Sequence, residues 1–195
     1  MTARKIIGSG FTLVELLIVI ALLGVLAAAV LAAINPLEQA NRARDTRMRS
    51  DASQMLAAHD RYFVSQDEFT WVTNGDVTNN DAAFGFANAI SQGAGICGVD
   101  CTADGLLITN NELKTEFRNR DFIKNGTTAT EALYIGKATG ASSSVYACWV
   151  PKSKSERTKA TQTLSVGSPT LGTAADCATR TYTDLTTSCV ICLPQ

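Results

Sequence analysis

Leu16 to Ile34 is a run of 19 residues with no charged and no strongly polar side chain, and an acid, Glu15, stands directly before it. At about 1.5 Å per residue the run makes a helix about 28 Å long, close to the roughly 30 Å hydrocarbon thickness of a bilayer. It predicts a membrane-competent helix. The 46% hydrophobic composition of the chain therefore averages this segment with a polar remainder. Residues 1–65 carry 7 Lys+Arg and 5 Asp+Glu, residues 66–195 carry 10 and 13, and the total of −1 excludes a polybasic nucleic-acid coat and an acidic disordered tail.

The ten residues Met1–Gly10 contain Arg4 and Lys5, no acid, and a small-residue ending Gly8-Ser9-Gly10. In a secretory signal peptide the apolar core precedes the cleavage site; here the small residues come first, so a cut after Gly10 leaves the hydrophobic helix on the mature chain. Glu15 is the anomaly of the segment. A carboxylate near the membrane centre costs roughly 2.5 to 3.5 kcal/mol, less near the interface, and calls for a cationic partner. Cleavage after Gly10 creates an α-amine on Phe11, four residues before Glu15 and on the same helix face. In a staggered bundle of identical helices, the amine of one copy neutralises Glu15 of another. The competing reading is that Glu15 marks the end of the span and snorkels to the interface.

Gly10-Phe11-Thr12-Leu13-Val14-Glu15, followed by Leu-Leu-Ile-Val-Ile-Ala-Leu-Leu-Gly-Val-Leu-Ala, resembles the leader and first helix of type IV pilins and type II secretion pseudopilins. The resemblance implies a prepilin peptidase that cleaves between Gly10 and Phe11 and methylates the new amine on Phe11. It further implies that Glu15 guides a subunit into a growing filament, and that the partners are other copies or related pilins, the membrane and an assembly platform. The resemblance is strong over residues 4–36, looser to about 65, and absent at motif level beyond. Two features depart from the pattern: the proline many relatives carry inside the hydrophobic helix is displaced to Pro36, and the tail has cysteines with no evident calcium loop.

Arg42, Arg44, Arg47 and Arg49 follow the span closely, so a literal positive-inside count places that end in the cytoplasm. Long domains translocate largely regardless of charge, and six cysteines in the polar part favour an oxidising compartment, which places the N-terminus inside and the globular part outside. Asn35-Pro36 predicts a kink or unwound turn at Pro36, or alternatively a second helix capped by Asn35. A stripe at Met48, Ala52, Met55, Leu56, His59, Tyr62 and Phe63 predicts a helix lying on a globular domain. If continuous from Phe11 to Val64, the helix is about 80 Å long. Glu38/Arg42 and Asp45/Arg49 have the spacing of i,i+4 pairs, and the remaining arginines are expected on a solvated face, with lipid headgroups or neighbouring subunits as the alternative.

From Gln66 the composition turns to Asn, Asp, Thr, Gly and Ser, and helical periodicity stops. Turn signals mark 72–81 and 91–105 as loops. A short helix is expected over Glu112–Ile123, and a hairpin from Ala132–Ala138 and Val145–Val150, with weaker strands at Thr161–Val166 and Arg180–Leu185. A long N-terminal helix followed by a small antiparallel sheet is an α+β arrangement; it also resembles the pilin head. The expected organisation is a leader at 1–10, an apolar helix at 11–35, its amphipathic continuation at 36–65 and a head at 66–195.

Cys97, Cys101, Cys148, Cys177, Cys189 and Cys192 allow 15 connectivities. Cys97 and Cys101 are close enough for a local bridge, and Cys148 is expected to meet one of the three C-terminal cysteines. A four-thiolate zinc site from Cys97/Cys101 and Cys189/Cys192 is the minor alternative, and a thiol-redox role for Cys189-Val-Ile-Cys192 is weaker still. Enzyme chemistry finds little support, and no cofactor is expected. His59, the single histidine, falls on the packing stripe. Asp76, Asn79 and Asp81 read as turn formers before calcium ligands. Lys152, Lys154, Arg157 and Lys159 read as a solvated loop, with DNA, an acidic glycan or a neighbouring subunit as alternatives. The sequence thus points to a structural filament subunit, with a secretion pseudopilin and a monomeric membrane-anchored module or enzyme as alternatives.

Overall fold

The computed structural model describes residues 10–33, 35–140 and 142–194. The leader apart from Gly10 lies outside the described residues, as do Ile34, Ala141 and Gln195. The chain divides into two units, residues 1–39 and 40–195.

In the first unit, helix α1 (Leu13–Ala33) carries the apolar run. Its large side chains from Leu13 to Leu31 are all exposed, Val19 the least so at 44%. Helix α2 (Pro36–Gln66) then begins afresh. Asn35 caps it: its Oδ1 accepts the Glu38 N–H at 3.2 Å and its carbonyl accepts the Gln39 N–H. Proline at the first helical position sacrifices no hydrogen bond, because that N–H has no partner within a helix anyway. Pro36 therefore opens a helix where a kink within a continuous one was the other expectation.

The second unit is built on the rest of α2. Met48, Ala52, Met55, His59 and Tyr62 are buried, as the stripe predicts, and Asp45, Asp51 and Ala58 join them. The helix stops at Gln66, where Asp67 turns to φ 58° while its N–H still bonds the Phe63 carbonyl at 2.8 Å. A residue in the left-handed region is a common way to end a helix.

Four antiparallel strands form the sheet: β1 (Phe84–Asn88), β2 (Leu133–Lys137), β3 (Val145–Trp149) and, as the last element of the chain, Ile191–Leu193, in that spatial order. The expected hairpin is present, with Leu133 opposite Trp149 and Lys137 opposite Val145. Alternation along the strands splits the sheet into two buried faces. Phe84, Leu133, Ile135, Ala147, Trp149 and Ile191 pack with Met48, Ala52 and Met55 of α2. Phe86, Tyr134, Cys148, Val150 and Cys192 pack under Leu164, Leu185 and Val190. Chain from the C-terminal third thus covers the second face, which a half-exposed sheet would leave to water. The free edge of β1 is covered too, since the Phe86 N–H and carbonyl bond Ser168 and Gly167. Gly85 permits that approach; a Cβ there would overlap the Gly167 carbonyl.

Three expectations need correction. Glu112–Ile123 is a 3₁₀ turn over Thr115–Asn119 and a one-turn helix over Asp121–Lys124, because Lys114 and Arg120 are extended. One continuous helix would place Asp121, rather than Phe122, in line with Leu113 and Phe117; the break lets all three apolar side chains bury. Thr161–Val166 contributes only Gln162–Thr163, paired with Gly172–Thr173. Arg180–Leu185 forms no strand: Tyr182 donates to the Cys177 carbonyl at 2.9 Å and Arg180 pairs with Asp176, so the segment is held by side chains.

An aromatic ladder closes the end of α2. Phe63, Phe69, Trp71 and Phe84 stack with successive centroid distances of 4.6, 4.7 and 4.6 Å. Lys137, fully buried at the end of β2, donates to the Asn80 carbonyl at 2.8 Å and to the Gly140 carbonyl at 2.6 Å, with Ala138 at 3.3 Å. One ammonium thus ties the loop before β1 to the turn after β2. Burial pushes its pKa below the ordinary lysine value, and the Asp81 carboxylate opposes that shift.

Candidate functional site

Gly10 and Phe11 precede the first helix in exposed chain without regular secondary structure, Phe11 with 79% of its surface free. Thr12 is the helix cap. Its Oγ1 accepts the Glu15 N–H at 3.2 Å, and Glu15 Oε2 in return accepts the Thr12 N–H at 2.9 Å and the Thr12 hydroxyl at 2.8 Å. This is a reciprocal capping box, in which two helix-terminal N–H groups are satisfied by side chains of the same chain. The signal stood in the sequence as Thr12-Leu13-Val14-Glu15, a Thr followed three residues later by Glu, and reading Glu15 as a membrane acid overlooked it. Among the described residues Glu15 makes no ion pair.

The six cysteines form three bridges: Cys97–Cys101, Cys148–Cys192 and Cys177–Cys189. Cys148 and Cys192 face each other across β3 and the final strand. Cys189 and Cys192 belong to different bridges, which leaves no thiolate set for the zinc alternative. No cluster of metal-binding side chains occurs among the described residues. Asn79 Oδ1 accepts the Asp81 and Ala82 N–H groups at 3.0 and 2.9 Å, the work of a turn former.

His59 is sealed in the core, its ring 5.2 Å from that of Trp71. Neither ring nitrogen has a hydrogen-bond partner of ordinary geometry. Burial drives its pKa down to about 3, and the nearby Ala94 backbone opposes the shift only in part. A histidine so placed cannot reach an external substrate.

The basic segments are solvated only in part: Arg42, Arg47, Lys154 and Lys159 are exposed, and Arg44, Arg49, Lys152 and Arg157 half-buried. The Arg44 guanidinium donates to the Val150 carbonyl at 2.7 Å and the Thr130 carbonyl at 2.8 Å. Asp45, expected to pair with Arg49, instead accepts the Lys152 and Ser153 N–H groups, and Arg49 reaches Glu156 at 3.0 Å. Lys152 pairs with Glu131, Lys159 with Glu156 at 2.7 Å, and the Arg157 guanidinium lies 4.3 Å from the Tyr182 ring. Lys159 and Arg49 together hold the Glu156 carboxyl below its ordinary range. Two basic segments about 100 residues apart in sequence are thus one surface of the second unit.

Residues 9–31 match the family described as the prokaryotic N-terminal methylation motif. Comparison of the chain with curated proteins and with solved structures gave no match. The motif coincides with the capped, fully exposed apolar helix, and Leu13–Leu31 is long and apolar enough to cross a membrane. Together with a head of one long helix on a four-stranded antiparallel sheet, these features are consistent with the type IV pilin and pseudopilin family.

Proposed function

We propose that this type IV pilin-like chain is a structural subunit of a filament, cleaved by a prepilin peptidase between Gly10 and Phe11, methylated on the Phe11 amine and polymerised through α1. The observation that supports this most is the state of α1: every large side chain from Leu13 to Leu31 is exposed, while the second unit completes its own two-faced core from residues 48–193. Such a helix requires lipid before assembly and other apolar helices after it. Gly24 and Ala28 permit close approach of neighbours. The subunit waits in the membrane with its N-terminus inside and its disulfide-bonded head outside, then leaves for the filament with the help of an assembly platform.

Glu15 acts at that transfer. In the single chain its carboxylate satisfies its own helix terminus through Thr12. A carboxylate has about four lone-pair sites, so it can keep the cap and also accept the Phe11 amine of a neighbouring copy. The function is structural, and no enzymatic role is assigned to the head.

Mass spectrometry of purified filaments tests the reading. The expected N-terminus is N-methylated Phe11, and a mature chain starting elsewhere, or no filaments at all, overturns it. A Glu15→Gln chain keeps an acceptor for the cap but not the charge. It is expected to be processed and to assemble poorly; normal assembly removes the charge-pairing role.

A further inference from the structure

Within the second unit the two ends of α2 carry opposite charge. Residues 40–49 and 150–159, brought together by the Asp45 and Arg49 contacts, hold eight Lys/Arg against Asp45 and Glu156; with Glu131, which pairs with Arg44 and Lys152, and Asp121, which pairs with Arg47, the patch keeps a net +4. The other end, residues 60–81, holds Asp60, Asp67, Glu68, Asp76 and Asp81 against Arg61, a net −4. All five acids are exposed, and none makes an ion pair among the described residues, whereas Arg61 is already taken by Glu112 at 2.8 Å. From Arg47 to the end of α2 at Gln66 is about 28 Å of helix. Helix stability does not account for the arrangement, because the macrodipole disfavours acids such as Asp67 and Glu68 at a helix C-terminus.

From this polarity we propose that copies of this chain stack head to tail, the basic end of one head lying against the acidic end of the next. The inference rests on the filament reading and names the surfaces that meet. Two different patches in contact make a heterologous interface, which propagates without closing and so suits a fibre. The opposed charges favour that register, and the reversed one sets like charges against each other. Arg47 and Lys154 represent the basic end, both on its exposed surface; Asp60 and Glu68 represent the acidic end.

The test uses the full chain with its processing and assembly machinery. Arg47→Glu/Lys154→Glu and Asp60→Lys/Glu68→Lys are each expected to lower filament yield by about tenfold or more, and more severely at low salt than at high salt. The four substitutions together are expected to recover most of the yield. Doubles that assemble like the wild type, or a quadruple variant that stays as defective as the doubles while its disulfides still form, overturn the proposal. A defect confined to the basic-end double assigns that face to anionic lipid headgroups and likewise overturns it. Carbodiimide coupling of the wild-type chain in detergent reads the contact without filaments: amide links from Lys154 to Asp60 or Glu68 of another copy are expected, and their absence counts against the stack. Absence of wild-type filaments with those links present overturns the filament reading alone.

Discussion

The Asp45 carboxylate accepts the Ser153 N–H at 2.7 Å across 108 residues of sequence, and the Lys152 N–H lies at 3.0 and 3.1 Å from its two oxygens. An acid 3% exposed on the long helix thereby fixes where the chain goes after β3. The same contact brings the two basic segments to one face, so a helix-buried carboxylate organises the charged surface.

Asp45→Ala leaves two N–H groups of the 152–153 turn without their acceptor, along with the Arg44 guanidinium at 3.2 Å. Unsatisfied buried donors cost about 1 to 3 kcal/mol each, so destabilisation on the order of 3 kcal/mol is expected. Chemical denaturation measures it; a change under about 0.5 kcal/mol would show that the contact is dispensable.

Lys137→Met replaces an ammonium by a group of similar length that cannot donate, and strands the carbonyls of Asn80, Ala138 and Gly140. Stability should fall by about 2 to 4 kcal/mol. Amide exchange should quicken at residues 79–82 and 138–140 before the rest of the sheet. Uniform quickening would contradict a local clamp.

His59 gives the head an acid-sensitive component. Its pKa is depressed from 6.5 to about 3 on folding, so the unfolded chain takes up the proton first as pH falls. The stability it contributes is fully present above pH 6.5 and is lost as pH drops toward 3, at up to about 1.4 kcal/mol per pH unit and roughly 5 kcal/mol in all. Denaturation midpoints at pH 7.5, 5.5 and 4 should converge less steeply for His59→Leu than for the wild type. Parallel pH profiles would refute the assignment.

Thr12→Val removes the hydroxyl that accepts the Glu15 N–H and donates to the Glu15 carboxylate. Loss of an N-cap costs about 1 kcal/mol, which corresponds to about fivefold faster amide exchange at residues 13–15 of the chain in detergent. Thr12→Ser should exchange like the wild type. If the valine variant does so as well, the box does not form.

Local signals account for what was read in the sequence: the capped start of α2, the packing stripe from Met48 to Phe63, the β2–β3 hairpin and the Gly10-Phe11 motif with Glu15. Each depends on residues within a few positions of one another, where periodicity and capping chemistry act. The break at Lys114 and Arg120 escaped that reading because burying Phe117 and Phe122 together outweighs the propensity of a continuous helix. So did strand Ile191–Leu193, three residues long and defined only by its pairing with β3. Partner choice among the cysteines also waited on the fold, since 15 pairings are equal until the strands bring Cys148 opposite Cys192. The sequence by itself determined a membrane-competent helix, its processing motif and an α+β head, because hydrophobicity and capping are properties of neighbouring residues. Only the tertiary structure decided that Asp45 turns inward to Lys152 and Ser153, and that Arg42–Arg49 and Lys152–Lys159 form one basic face opposite an acidic one. Charge becomes a surface property when distant segments fold side by side, and no local pattern records that.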